Sequence, residues 1–295
     1  MQPTDHSAIL DSLGFRTATK LGVGINSTVY QVDENRIIKI GLFSGPEIKP
    51  LKDFLDTLAC SDLPFQIPRI FESGEMRGQL YTIERLVPGA ALRDVYPTLS
   101  EAKKERCIRE ILDFLDVLHH IELPGPFGER LLGDNNVTDA SWGGFLRQKC
   151  LQALKVNADA LRADFSEIDN AVDLFLEEVA LLAAPTKPVL VHGDLFFPNI
   201  MASREGRITG IIDFSDLTLA GDPMMDKVGL AIFAREEEGR ELINQLLQGR
   251  FGEEFSRLRR LYSVYYAFRF SGCQSSDPDT YNWCLQEFSR YISSS

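Results

Sequence analysis

The sequence predicts an α+β chain in two lobes, a small β-rich lobe followed by a larger, mainly helical one. Three observations carry this. Residues 1–88 contain short β-branched runs, a Pro88-Gly89 pair punctuates the chain, and most of residues 89–295 repeat apolar side chains at helical spacing. The boundary is set at that punctuation: residues 1–88 are the first lobe, about 84–89 its hinge, and 89–295 the second lobe.

In chain order, STVYQV and RIIKIG read as strands joined through Asp33, Glu34 and Asn35, a hairpin signal. In RIIKIG, Ile38 and Ile40 face one side and Lys39 the other. EIKPLKDFLDTLA places Ile48, Leu51, Leu55 and Leu58 at helical spacing, and QLYTIERLV is a further strand. Beyond the hinge, LSEAKKERCIREILDFLDVLHHI starts from Ser100 as N-cap and carries a long apolar stripe. SWGGFLRQKCLQALKVNADAL, FSEIDNAVDLFLEEVALLA, REEEGRELINQLLQGRF, EEFSRLRRLYSVYYAFRF and TYNWCLQEFSRYI continue the helical pattern. Residues 188–214 interrupt it with two short strand-like runs, and 293–295 read as a frayed end.

The 295 residues are 44% hydrophobic and 25% charged, ordinary for a globular protein. No apolar run is long enough for a membrane helix, and MQPTDHSAIL lacks the layout of a signal peptide, so a cytoplasmic protein is expected. Cys60, Cys107, Cys150, Cys273 and Cys284 form no CxxC pair and are read as reduced thiols. A net charge of −12 argues against a nucleic-acid partner, because phosphate contacts need clustered Lys and Arg. Residues 1–88 hold 11 acids and 9 bases, whereas 89–295 hold 32 acids and 22 bases. The excess acid is either a solvated surface or a cation-binding one.

KLGVGINSTVYQV carries Gly22, Gly24 and Ser27 in the spacing GxGxxS. Glycines let backbone amides approach phosphate closely. The segment lies between strands, so a dinucleotide fingerprint at a strand-to-helix turn is disfavoured, and taken alone the pair also fits an ordinary hairpin. Lys39, on the strand next to this loop, would bring an ammonium to the same phosphate.

The most informative stretch is VHGDLFFPNI (191–200), followed fourteen positions after Asn199 by Asp213 in GIIDF. HGDLFFPN fits the pattern HxDLxxxN of phosphoryl-transfer catalytic loops. Asp194 would accept the proton of an attacking hydroxyl, while Asn199 and Asp213 supply oxygens suited to Mg2+ bridging phosphate groups. His192 is read as structural.

Together LGVGINSTVY, IIKI, ERLVPG, LHH, VHGDLFFPNI, GIIDFSD and AGDPMMD make the chain similar to the aminoglycoside phosphotransferase family, within the protein-kinase-like superfamily of small-molecule kinases. The similarity extends over nearly the whole chain. It implies a bilobal protein-kinase-like fold holding ATP or GTP under the glycine loop. Lys39 would contact the α- and β-phosphates, and Glu84 and Leu86 would meet the purine through backbone groups. Glu47 is the expected acid partner of Lys39, with Asp53 as the alternative. Asp222 and Asp226 would anchor the loop and a helix start, and Asp216 stays outside the catalytic set.

Two departures from protein kinases favour a small-molecule acceptor. Gly193 stands where protein kinases usually carry Arg, and Gly221 follows Asp213 by only eight positions, leaving no room for a long activation segment. The lead acceptor is an aminoglycoside-like cation, with antibiotic resistance as the implied role. It is suggested by nine acids against four bases in residues 134–178. The runner-up is another small alcohol: a macrolide, choline, homoserine, methylthioribose or a sugar amine. A non-catalytic nucleotide-binding protein is disfavoured because Lys39, Asp194, Asn199 and Asp213 are all retained. No membrane partner is expected, and a monomer or weak dimer is.

Overall fold

The computed structural model describes residues 6–24, 27–41, 48–183 and 185–294. After a short α1 (Ser7–Ser12) come β1 (Thr19–Val23), β2 (Ser27–Gln31) and β3 (Arg36–Gly41), then α2 (Ile48–Leu58), β4 (Ile70–Met76) and β5 (Gln79–Arg85). After β5 follow β6 (Ala90–Ala91), α3 (Leu92–Val95), α4 (Glu101–Leu118), β7 (Phe127–Glu129) and β8 (Thr138–Asp139). Next are α5 (Trp142–Asp164), α6 (Ile168–Ala180), β9 (Val189–Val191), β10 (Ile200–Ala202), β11 (Ile208–Ile211) and β12 (Leu219–Gly221). The chain ends with α7 (Met224–Phe233), α8 (Arg240–Phe270) and α9 (Pro278–Ser293).

These elements group into two compact units: Met1–Lys103 with Leu131–Asp134 and Phe197–Asp216, and Lys104–Arg130 with Asn135–Phe196 and Leu217–Ser295. In the first, β1-β2-β3-β5-β4 form a five-stranded antiparallel sheet, and β11-β10-β6 form a small three-stranded one. The alternation in RIIKIG does what it predicts. Ile38 and Ile40 are fully buried with Ile9, Leu10, Tyr81 and Ile83, and Lys39 points to the other face. Gly89 has φ +111, and a Cβ there would stand 2.5 Å from the Ala202 carbonyl oxygen, so no other residue fits the turn.

In the second unit β8-β7-β12-β9 form a four-stranded sheet among the helices. Ser141 caps α5 by accepting the Gly144 N–H, and Asp277 caps α9 by accepting the Thr280 N–H. Trp142, Phe145, Phe175, Phe268 and Phe288 are fully buried, and the Trp142 indole donates to the Tyr262 hydroxyl at 2.9 Å. The predicted pair of helices on either side of residue 252 is present: α8 is two helical segments that meet at a kink at Gly252, with φ 56 and ψ −131. Of the expected fray at 293–295, Ser293 ends α9 and Ser294 donates its hydroxyl to the Arg290 carbonyl, while residue 295 lies outside the described residues. Among the described residues no helix is long and apolar enough to cross a membrane.

Candidate active site

The sheet face opposite the first unit's core carries Lys39. Register pairs Lys39 with Thr82 and Ile37 with Glu84, so Lys39 and Glu84 are diagonal neighbours on one face. The Lys39 ammonium lies 3.2 Å from the Glu84 carboxylate, whose other oxygen accepts the Thr82 hydroxyl at 2.6 Å. Burial is the largest influence on Lys39 and would lower its pKa, but the charges of Glu84 and Asp213 outweigh it and hold the pKa above its ordinary value. The expected partner Glu47 lies outside the described residues. The alternative, Asp53, is exposed and pairs with Lys49 at 2.5 Å.

Asn199 and Asp213 come together through strand pairing. Ile200 pairs with Ile211, and the Ile212 N–H donates to the Asn199 carbonyl at 2.9 Å, which sets Asn199 one residue from the start of Asp213 across the ladder. Asp213 has φ 69, a left-handed backbone rare for a residue with a side chain. Phe214 is buried and packs on Phe54 with ring centroids 5.8 Å apart, anchoring the turn from behind. Such local strain persists where surrounding packing over-determines it, and functional sites concentrate it. An amide and a carboxylate fit Mg2+, which keeps several waters and takes one or two protein oxygens beside phosphate. Among the described residues no group of three or more His, Cys, Asp and Glu converges as a metal site.

Gly22 lies in β1, paired with Val29, and the Gly24 N–H donates to the Ser27 carbonyl at 2.7 Å, closing the hairpin into β2. Neither glycine has positive φ. A Cβ would meet nothing within 4 Å at Gly22 and only the Ser27 carbonyl oxygen at 3.5 Å at Gly24. The fold therefore does not itself require glycine at either position. Just past β5, the Leu86 N–H is already committed to the Asn35 carbonyl at 2.7 Å, which leaves the Leu86 carbonyl for a ligand. The next residue, Val87, is buried, and its N–H has no partner among the described residues.

In the second unit Asp194 follows β9 in a loop fastened by its backbone. The buried Asp226 carboxylate accepts the His192 N–H at 2.9 Å and the Gly193 N–H at 2.8 Å. Tyr266 donates to the Gly193 carbonyl at 3.0 Å, and the Asp194 N–H donates to His192 Nδ1 at 3.3 Å. Gly193 has φ 78, and a Cβ would fall 1.9 Å from the Leu217 carbonyl oxygen. Asp222 accepts the Met224 N–H at 2.8 Å at the start of α7 and the Tyr262 hydroxyl. The two acids of GDPMMD thus anchor the loop and the helix start, as expected from the sequence.

Behind Asp226 runs a buried polar chain. His119 Nε2 is 3.1 Å from Asp226, the Lys227 ammonium is 3.0 Å from His119 Nδ1, and Lys227 reaches Asp116 at 3.4 Å. An ammonium can only donate, so Nδ1 accepts and the ring proton sits on Nε2, donated to Asp226. Burial, the largest influence, depresses the His119 pKa and keeps the ring neutral. Burial alone would raise the Asp226 pKa, but the His119 bond and the loop amides outweigh it and lower it. Arg250 closes the chain on Asp116 at 2.7 Å.

The acids of residues 134–178 prove less available than their count implies. Asp139 accepts from Ser141 and Gln148, Asp164 from Gln274 and Tyr281, Asp169 from Arg162, and Glu178 from Arg260 and Tyr291. Asp134, Asp159, Glu167, Asp173 and Glu177 are solvent-exposed.

The family model described as the phosphotransferase enzyme family matches residues 17–261. No curated protein sequence matches the chain significantly. Among solved structures the chain is similar to the streptomycin–ATP ternary complex of APH(2'')-IIa, at 19% identity over 98% of this chain and 97% of that one, with a TM-score of 0.66. It is similar to APH(3'')-Id from Streptomyces rimosus with ADP and streptomycin, at 18% identity over 98% and 99% of the two chains, TM-score 0.52. It is also similar to macrolide 2'-phosphotransferase type I, at 16% identity over 95% and 94%, TM-score 0.55. These likenesses bear out the α+β, protein-kinase-like fold.

Proposed function

From the premise that this chain belongs to the phosphotransferase enzyme family, we propose that it moves the γ-phosphoryl of ATP or GTP to a hydroxyl of a small cationic acceptor of the aminoglycoside type. The observation that carries the reading is the juxtaposition of Asn199 and Asp213 at paired strand ends, with Asp213 held in a left-handed backbone. Asn199 and Asp213 would hold Mg2+, and the ion, when bound with nucleotide, offsets the charge on the phosphates. Lys39, oriented by Glu84, binds phosphate oxygens. Asp194 takes the proton of the acceptor hydroxyl, and its loop, fastened through Asp226, keeps that carboxylate in register. Gly22, Gly24 and Ser27 line the phosphates, and the hinge from Glu84 to Val87 offers backbone groups to the purine. The nucleotide lobe is proposed as residues 1–88 and the catalytic, acceptor-binding lobe as 89–295, in a cytoplasmic monomer or weak dimer.

Support for an aminoglycoside comes from structural neighbours solved with streptomycin and with gentamicin. The exposed and already paired acids of 134–178 favour the second reading, another small alcohol as acceptor. A kinase assay against aminoglycosides, macrolides and amino alcohols, with ATP and with GTP, decides between them. Phosphorylation of at least one aminoglycoside, with a KM that rises with salt more than the nucleotide KM does, is the expected result. A neutral alcohol as the sole good acceptor establishes the second reading, and no turnover of any hydroxyl sinks both. A calorimetric titration of Asp213→Ala checks the metal assignment independently, since nucleotide binding should no longer tighten when Mg2+ is added.

A further inference from the structure

Helix α7 has no solvent face over its first two turns, for every residue from Met224 to Ala231 is buried. Lys227 is one of them, 5% exposed. Taking an ammonium out of water is costly, and a methionine would fill nearly the same space without a charge to desolvate. The lysine is therefore informative for what it bonds, not for how it packs.

Its bonds run in two directions. Outward, Asp116 on α4 meets Lys227 with one oxygen at 3.4 Å and the exposed Arg250 with the other at 2.7 Å. Arg250 thus shares the carboxylate that would otherwise draw the ammonium to itself. Inward, the ammonium donates to His119 Nδ1 at 3.0 Å. A neutral imidazole can carry its proton on either nitrogen, and the partner of one nitrogen decides the state of the other. With Nδ1 held as acceptor, Nε2 keeps the proton and gives it to Asp226 at 3.1 Å. Asp226 then has three N–H donors: Nε2 and the His192 amide on Oδ2, and the Gly193 amide on Oδ1. In the other tautomer the Nε2 lone pair would face Oδ2, acceptor against acceptor. Asp226 would lose one donor and be pushed off the geometry in which it grips the two amides before Asp194.

We propose that Lys227 is a positioning residue for Asp194, acting by fixing the proton of His119 on Nε2 and so holding Asp226 against the backbone of residues 192–193. This role rests on the phosphoryl-transfer reading, in which Asp194 receives the proton of the acceptor hydroxyl and Lys227 touches neither nucleotide nor acceptor. A lysine that only stabilised the fold would change Tm. A positioning lysine also changes the ring tautomer, and it changes kcat without changing nucleotide affinity.

The chain has four histidines, so isotope labelling of their ring nitrogens gives four signatures by NMR, and His119→Asn assigns the one that matters. The wild-type His119 ring should carry its proton on Nε2. Lys227→Met should move it to Nδ1 or leave the ring doubly protonated, and should speed hydrogen exchange of the Gly193 amide by about tenfold or more. In the same variant kcat should fall by about tenfold or more while the nucleotide KM stays within about twofold. Arg250→Gln, at an exposed position that the fold does not depend on, keeps the test open if the methionine variant does not fold. It frees Asp116 to draw the ammonium away from Nδ1, and should produce the same changes in lesser degree. A wild-type ring protonated on Nδ1, a tautomer indifferent to the variants, or an altered tautomer with unchanged Gly193 exchange and kcat overturns the proposal. No turnover of any hydroxyl by the wild type, with ring and amide responding as expected, sinks the phosphoryl-transfer reading instead and leaves the link from Lys227 to the loop standing.

Discussion

Lys39 and Asp194 are held in place by opposite means. Lys39 sits on a strand whose hairpin partners are neighbours in sequence, and its acid, Glu84, is fixed by register alone. Asp194 sits on a loop whose backbone is held by Asp226, itself contacted by His119 across 107 positions of sequence. A position set by register tolerates loss of one side chain, because the ladder remains. A position set by a buried polar chain does not, because each member that loses its partner is left desolvated.

The largest effect should therefore fall on Asp226. Asp226→Asn faces two loop N–H groups and His119 with a group that no longer carries charge, and should destabilise the protein by about 3–5 kcal/mol. Denaturant unfolding measures this, and a loss under about 1 kcal/mol would show that the loop holds without its anchor. Asp194→Asn should leave folding and nucleotide affinity intact while lowering kcat by about a hundredfold or more. Near-normal turnover ends the assignment of Asp194 as base.

Glu84→Gln tests the other side of the contrast. The ladder survives, so the loss should be only about 1–2 kcal/mol, discounted because Lys39 retains some solvent access. The nucleotide KM should rise as the ammonium loses its orientation. An unchanged KM would assign that role to Glu47 instead.

The buried chain also has a signature in pH. His119 is depressed by burial, so the unfolded chain takes up a proton that the folded ring refuses. Stability from this source is complete above the ordinary histidine range and falls as pH drops from about 7 to about 5, by at most roughly 1.4 kcal/mol per unit. His119→Asn should flatten that part of the Tm profile, and an unaltered slope would place its origin elsewhere. The smallest structural effect belongs to Gly24→Val. With φ unexceptional and the Ser27 oxygen 3.5 Å from the added Cβ, Tm should hardly move while nucleotide affinity falls. A lower Tm with unchanged affinity would make Gly24 a hairpin residue only.

What could be read from the sequence divides along the same line. The alternation in RIIKIG, the helical stripes of α4, α5, α6 and α9, and the spacing from His192 to Asp213 are local patterns, and local patterns survive in a string of letters. Strands β7, β8 and β12 were missed because runs of two or three residues carry no periodicity, and β12 pairs with partners at residues 128–129 and 189–191. Also missed were β1 and β4, whose residues are largely exposed and so lack an apolar face. The side-chain role of Glu84 is invisible in the sequence because it depends on a diagonal pairing between strands. Lys227 carries a signal in the sequence: with Asp226 it is one of two charges in the otherwise apolar stretch MMDKVGLAIF, so it must find a buried acceptor, and it meets His119 and Asp116.

Gly193 limits what this protein can become. Protein kinases usually place an arginine there and use it to sense a phosphate on their own activation segment. Here the Leu217 oxygen occupies the space where the first side-chain atom would begin, and φ 78 is set by N–H groups already committed to Asp226. Substituting arginine would dislodge the loop that carries Asp194 before any sensor could form. A phosphate sensor built on an arginine at this position is thus closed off by sterics.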